Sequence, residues 1–237
     1  MTACAPQSRS ASATVAVAAN FQSAMAVLED DFEESTGHEL QIVIGSTGKI
    51  YSQIKHGAPY DVFLAADQAR PERLVSEGTA VSGSRFTYAR GQLVLWSPAA
   101  EALSVESLNA PAVKRIAIAN PELAPYGRAA EQVLHGLNLH TSLSTNLVLG
   151  ENVGQAFAFI STGNAQLGFV SKAQVLSRAD EQRGTQWSPA SALYDPIDQD
   201  GVLLNRGSEN QTALAFMDYL KSPEAKAIIL AHGYEIP

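Results

Sequence analysis

Four stretches of this 237-residue chain place small, hydroxyl or amide residues between the end of an apolar, β-branched run and the start of an amphipathic one. They are Ala18-Ala19-Asn20, Gly45-Ser46-Thr47-Gly48, residues 120–127 (NPELAPYG) and Glu151-Asn152-Val153. Where a strand gives way to a helix, the first helical N–H groups have no intrahelical partner. Together with the helix dipole they favour an anion without any cationic side chain. Taken singly, each stretch is an ordinary helix cap. Four of them on two facing half-sheets point to a shared anion site.

Other chemistries find less support. Gly45-Ser46-Thr47-Gly48 followed by Lys49 lacks the four-residue spacing between glycines that a nucleotide P-loop needs. There is no Gly-x-Ser-x-Gly elbow and no His-x-x-x-His pair. His38, His56, His135, His140 and His232 are scattered near the ends of helical patterns and read as surface or capping residues. Asp61 and Asp67 flank one apolar run, and Asp195, Asp198 and Asp200 cluster near another. They are read as solvated or capping groups rather than an acid–base pair. Trp96 and Trp187 are read as packing residues. No catalytic residue is assigned, and an enzyme is not expected.

The elements that must position these junctions alternate between short strands and amphipathic helices, the pattern of an α/β fold. Residues 14–19 (TVAVAA) read as a buried strand. Asn20 is expected to cap a helix with Phe21, Met25, Leu28 and Phe32 on its apolar face, ending at Gly37. Strands at 39–44 and 61–66, with helices after each, complete a β-α-β-α-β-α half-sheet. Residues 91–98 (GQLVLWSP) open a second set, with strands at 115–119, 147–149 and 166–170 and helices at 127–137 and 153–162. A return strand at 195–204 precedes helices at 210–220 and 223–232. No Gly/Ser linker separates the two sets. The expectation is two doubly wound α/β lobes joined by crossing strands: 14–87 plus 200–237 as lobe 1, and 88–199 as lobe 2. Residues 1–13 are expected to be a tether or a processed N-terminus.

The chain is 46% hydrophobic and 17% charged, and no apolar run reaches the roughly 18 residues that span a bilayer. Its net charge of −8 and lack of a basic stretch argue against nucleic acid. The same charge works against an anionic ligand, so such a site must act through local dipoles. The small, polar residues 1–13 resemble what remains of an exported protein once its apolar leader is removed. Cys4 is the single cysteine, so no intramolecular disulfide forms. Its context, Thr2-Ala3-Cys4, resembles a lipoprotein signal and marks Cys4 as a candidate lipid anchor, the other reading being an incidental cysteine.

At its junctions the sequence resembles the periplasmic molybdate-binding proteins of ABC importers, a type II periplasmic solute-binding family. The likeness runs in order from Thr14 to Pro237: VAANF at 17–21, GSTGKIYSQI at 45–54, GAPYDVFLAAD at 57–67, GSRFTYARGQLVLWS at 83–97, NPELAPYG at 120–127, ENVGQA at 151–156 and LGFV at 167–170. The resemblance implies a two-lobed protein that closes on one oxyanion, molybdate or tungstate, and presents it to an ABC permease in the inner membrane. It implies a periplasmic location and no cofactor, and we expect a monomer. Molybdenum would be bound only as the oxyanion, through neutral donors. Carried over by position, Asn20 and Ala19 form the first donor loop, Ser46 and Thr47 the second, and Tyr126 and Val153 the contacts of the second lobe. Val153 would act through its backbone N–H. Some members carry a tyrosine where this chain has Ser171, so Ser171 is a candidate contact and the aromatic hydroxyl would come from Tyr126. Lys49 stands where a small or apolar residue is expected, either lending positive potential or solvated. Alternatives are another tetrahedral oxyanion such as sulfate or phosphate, an enzyme on the same fold, or the effector domain of a regulator.

Overall fold

The computed structural model describes residues 12–99 and 101–237. Cys4 and residues 1–11 of the expected tether lie outside them.

The chain begins with strand β1 (Ser12–Ala18), two residues ahead of the expected start, and after a 3-10 turn at Ala19–Phe21 continues as α1 (Gln22–Thr36). Gly37 ends α1 in the left-handed conformation, φ 71°, where a side chain would be strained. Then follow β2 (Glu39–Gly45), α2 (Thr47–Lys55), β3 (Val62–Leu64), α3 (Ala69–Ser76) and β4 (Phe86–Gly91). The second set comprises β5 (Leu93–Ser97), β6 (Ile116–Ala119), α4 (Pro125–Gly136), α5 (His140–Leu143), β7 (Leu147–Gly150), α6 (Val153–Ser161), β8 (Leu167–Ser171), α7 (Lys172–Leu176) and β9 (Thr185–Trp187). The chain returns through β10 (Ile197–Leu203) and closes with α8 (Gln211–Tyr219) and α9 (Pro223–Ala231).

Two five-stranded sheets result, ordered β2-β1-β3-β10-β4 and β7-β6-β8-β5-β9. In each, three parallel strands meet an antiparallel one contributed from across the molecule, β10 in the first and β5 in the second. The division expected at 87/88 and 199/200 falls inside β4 and β10, both paired within the first sheet from Phe86 to Gly91 and from Ile197 to Gly201. The chain therefore passes between sheets at Gln92, and again between Trp187 and Ile197.

Alternation along β1 explains why helices cover both faces of the first sheet. Ala13, Val15 and Val17 pack with Phe21, Leu28 and Phe216 on one side, while Ala16 packs with Ile50, Ile54 and Leu74 on the other. The second lobe has its own core around Trp96, Ile116, Ile118, Val133 and Phe169. Trp96 is fully buried and stacks on Phe157 at 4.7 Å between centroids. Each fully buried large apolar side chain contributes roughly 1.5–3 kcal/mol, so both lobes have cores of their own.

Register does the positioning that function needs. In the parallel β1–β2 pair Ala18 lies opposite Gly45, so the chain leaves both strands side by side at Ala19-Asn20 and Ser46-Thr47. In the second sheet Ala119 lies opposite Gly150, which does the same for residues 120–127 and 151–153. All four junctions sit beyond carboxyl ends of parallel strands, where α/β sheets bind ligands.

Candidate functional site

The two pairs of junctions face each other across one small cavity of about 10 Å³. Ala19, Asn20, Ser46, Thr47, Tyr126 and Val153 all line it, with Ala18, Gly45, Ala66, Ala124, Pro125 and Asn152 completing the wall. No lining residue carries a charge. Ala66 was not picked out from the sequence, and Ala124 and Pro125 only as part of the 120–127 stretch, because small apolar residues carry no chemical signal. Their contribution is to let backbone approach the enclosed space.

An account of the first-turn N–H groups shows which remain for a solute. In α2, Gly48 N–H donates to the Leu123 carbonyl at 2.8 Å and Lys49 N–H to Ser46 Oγ at 3.3 Å, leaving Thr47. In α4, Pro125 has no N–H, and Gly127 and Arg128 both donate to the Ala124 carbonyl, leaving Tyr126. In α6, Gln155 N–H is capped by Asn152 Oδ1 at 3.0 Å, leaving Val153 and Gly154, of which Val153, at the first helical position, lines the cavity. The 3-10 turn adds the N–H groups of Ala19 and Asn20. The hydroxyls behave alike. Thr47 Oγ1 accepts from Ala66 N–H at 3.1 Å, and Ser46 Oγ from Lys49 N–H. Each oxygen is engaged as an acceptor, so each proton is left to donate. The cavity is thus lined by donors from opposed helix N-termini, a setting that stabilises a small anion.

Four expectations change. Asn20 does not cap α1, which begins after the intervening 3-10 turn. Its side-chain amide donates to Gln199 Oε1 at 2.9 Å and to Tyr234 Oη at 3.1 Å, so both its hydrogens are used. What Asn20 offers the cavity is its backbone N–H. The Tyr126 hydroxyl accepts from Gln199 Nε2 at 3.4 Å and lies against Gly91 of β4, the contact that sets its direction, so the donor that the helix start itself supplies is the Tyr126 backbone N–H. Ser171 does not line the cavity. It caps α7 in a capping box with Gln174, whose side chain in turn donates to the Val153 carbonyl at 3.3 Å, so Ser171 supports the α6 start from behind. Three of the five aspartates are not solvated: Asp61, Asp67 and Asp200 are buried and paired with Arg206, with Arg70 and Arg128, and with Arg85, whereas Asp195 is exposed as expected and Asp67 also accepts from Arg70 N–H in the first turn of α3.

Lys49 reaches across the cleft to Glu151 at 2.9 Å, with both side chains about half exposed. Exposed pairs contribute under about 1 kcal/mol. Lys49→Ala is therefore expected to shift affinity for the bound solute by less than about fivefold, as isothermal titration would read. Three further contacts span the lobes: Gly48 N–H to the Leu123 carbonyl, Arg70 Nη2 to the Glu122 carbonyl at 3.1 Å, and Arg128 Nη2 to Asp67 Oδ2 at 2.8 Å. A methyl at Gly48 would stand 2.9 Å from the Leu123 oxygen, so only glycine permits this approach.

Behind the cavity lies a buried polar network. Tyr88 Oη donates to the Ala65 carbonyl at 3.0 Å with Gln199 Oε1 at 3.1 Å, and Tyr234 Oη donates to the Asn20 carbonyl at 2.6 Å. Burial pushes the phenols of Tyr88, Tyr126 and Tyr234 well above their usual value near 10, with neighbouring tyrosines adding to the shift in each case. The folded state holds these protons more tightly than the unfolded chain, so the stabilisation is complete below pH 10 and is lost as pH rises beyond it. Unfolding free energy is expected to hold no tyrosine-linked slope up to about pH 9.5 and to fall steeply above 10. Denaturant melts across pH 8–11.5 check this.

Two sheets of the same plan enclosing one small cleft walled by uncharged residues define a two-lobed solute-binding protein. A family model described as bacterial extracellular solute-binding protein matches residues 13–235, and the chain belongs to that family. It is 47% identical to the molybdate-binding protein ModA of Azotobacter vinelandii over 98% of this chain and 92% of that protein. It is 45% identical to ModA of Rhodobacter capsulatus over 92% of this chain and 86% of the relative. The solved periplasmic molybdate-binding protein of Azotobacter vinelandii superposes with a TM-score of 0.91 at 41% identity, covering 95% of this chain and 99% of that one. Among the described residues, no helix is long and apolar enough to cross a membrane.

Proposed function

We propose that this chain captures molybdate, and tungstate with it, in the cleft between its lobes and delivers the ion to an ABC permease of the inner membrane. In this reading it works in the periplasm as a monomeric binding protein without catalysis. The reading rests chiefly on one observation: a cavity walled only by uncharged residues, among them the first-turn residues of opposed helix starts whose N–H groups have no helical partner, in a chain 47% identical to a molybdate-binding protein. The donors are the backbone N–H groups of Ala19, Asn20, Thr47, Tyr126 and Val153 and the hydroxyls of Ser46 and Thr47.

A dianion leaving water gives up a large hydration energy, which fixed dipoles must replace. Hydrogen bonds to a charged acceptor contribute roughly 1.5–3 kcal/mol each. Several together, less the cost of closing the lobes, reach submicromolar affinity. A wall of donors also selects: a protonated oxyanion needs an acceptor and meets N–H instead. This disfavours phosphate at neutral pH and leaves sulfate to be excluded by cavity size. Melting temperatures with molybdate, tungstate, sulfate and phosphate at equal concentration test the reading. Molybdate and tungstate should raise the melting point most. Absence of a shift with both would sink the proposal, and a larger rise with sulfate would reassign the ligand.

A further inference from the structure

We propose that Glu131, His135 and His140 form a binding site for one divalent transition-metal ion of the zinc, nickel or copper class, separate from the oxyanion cleft. Read along the chain, these residues are only surface positions with no metal-binding spacing. Folding brings them together. Glu131 and His135 are four apart on α4 and so share one face of the helix. The turn that follows then brings His140 back over them. Asn138 takes the left-handed conformation, φ 59°, the only non-glycine among the described residues to do so. Asparagine tolerates that conformation better than most residues. Backbone bonds hold the turn, from Leu137 N–H to Val133, Asn138 N–H to His135 and Leu139 N–H to Leu134. Leu137 and Leu139 pack on the second-lobe core. The backbone carrying the three side chains is therefore fixed before any ion arrives.

The side chains are near coordination distance. The two imidazole rings stack at 4.0 Å between centroids, tilted by 19°. His140 Nε2 lies 3.8 Å from Glu131 Oε1, and one ligand atom from each of the three residues lies within 4.8 Å of the others. Metal–nitrogen bonds of about 2.0–2.1 Å in a tetrahedral site put ligand atoms roughly 3.3 Å apart. Contraction by up to about 1.5 Å, from 4.8 Å to the roughly 3.3 Å of a tetrahedral site, is within reach of side-chain rotation, since His135 is exposed and the other two are half-buried. Two imidazoles and a carboxylate suit zinc, nickel or copper over magnesium or calcium, which prefer all-oxygen shells. Three protein ligands leave a coordination position for water or a group from another molecule. The site lies on the C-terminal half of α4, nine residues and about 13 Å along the helix from Tyr126. An ion there would join α4 to α5 without touching the oxyanion, so the proposal does not depend on the cleft's ligand.

The test uses the full chain without a histidine tag, stripped with EDTA and titrated with zinc chloride at pH 7.5 in a non-coordinating buffer, with nickel and copper as further probes. One equivalent per chain at micromolar dissociation constant or tighter is expected. H135Q and H140Q should each weaken it at least tenfold, and H56Q, at an exposed histidine elsewhere, should leave it unchanged. With copper, electron paramagnetic resonance should show coupling to two imidazole nitrogens, lost in either variant. Binding only at millimolar zinc, or binding that persists in the H135Q/H140Q double variant, would overturn the assignment. Circular dichroism melts without metal show that the variants are folded.

Discussion

Thr47→Val is expected to weaken molybdate binding by about 10- to 150-fold. Thr47 Oγ1 accepts from Ala66 N–H at 3.1 Å, and no other partner holds the hydroxyl among the described residues, so its proton is set toward the cavity that Thr47 lines. Valine keeps the shape and removes that proton. A hydrogen bond to an ion contributes roughly 1.5–3 kcal/mol, which at 1.4 kcal/mol per tenfold gives the range stated. The substitution also strands Ala66 N–H, a buried donor whose loss of partner costs about 1–3 kcal/mol of stability with or without ligand. The apo protein should therefore melt lower yet remain folded. Thr47→Ser restores both functions of the oxygen and should bind within a few-fold of wild type. Isothermal titration on the three proteins separates the effects, and a valine variant with wild-type affinity would remove Thr47 from the donor set.

The same residue shows how much of the site was legible in advance. Gly45-Ser46-Thr47-Gly48 was read as one of four junctions because a strand pattern, two hydroxyl residues and a helix pattern follow one another, and local sequence contains that much. The donor role of Ser46 and Thr47 came from the family resemblance. Asn20 was read equally locally, as a helix cap, and here the reading failed. Its amide is claimed by Gln199 and Tyr234, partners 179 and 214 residues away that no local pattern reveals. Tyr126 failed in part for the same reason: its position at a helix start was legible, whereas the direction of its hydroxyl depends on β4 passing behind it at Gly91. A methyl there would overlap that hydroxyl, a constraint between distant segments.

The fold divides along similar lines. The strands of both parallel triplets were legible because continuous apolar runs mark buried strands. β4, β9 and the short helices α5 and α7 were not read as elements. Phe86–Gly91 carries Thr87 and Arg90 among its apolar residues, and becomes a strand through pairing with β10. Thr185–Trp187 has only three residues and owes its state to β5. The carboxylates gave the clearest misreading. Asp61 is followed at once by an apolar run, which suggests a solvated strand end, yet Thr14 N–H and Arg206 satisfy it within the fold. Burial of a charge is acceptable once its partners are supplied, and those partners come from elsewhere in the chain.

Val153→Pro should weaken molybdate binding by about the same 10- to 150-fold while changing stability little. It tests a donor that has no side-chain handle. Val153 is the first residue of α6, where a helix leaves the N–H unpaired and where proline is well accommodated. The preceding Asn152 is extended, φ −144° and ψ 175°, close to the conformation favoured before proline. The ring keeps most of the carbon volume that valine buries. What disappears is the one N–H that the proposed donor set assigns to Val153, again about 1.5–3 kcal/mol. Val153→Ala provides the complement: it keeps the N–H and trims the side chain, so affinity should stay near wild type while the melting point falls. If proline binds normally and alanine does not, the contribution of Val153 is packing, and the α6 terminus is not a donor. If proline alone loses affinity, an uncharged backbone group in a chain of net charge −8 is holding an anion by geometry rather than by charge.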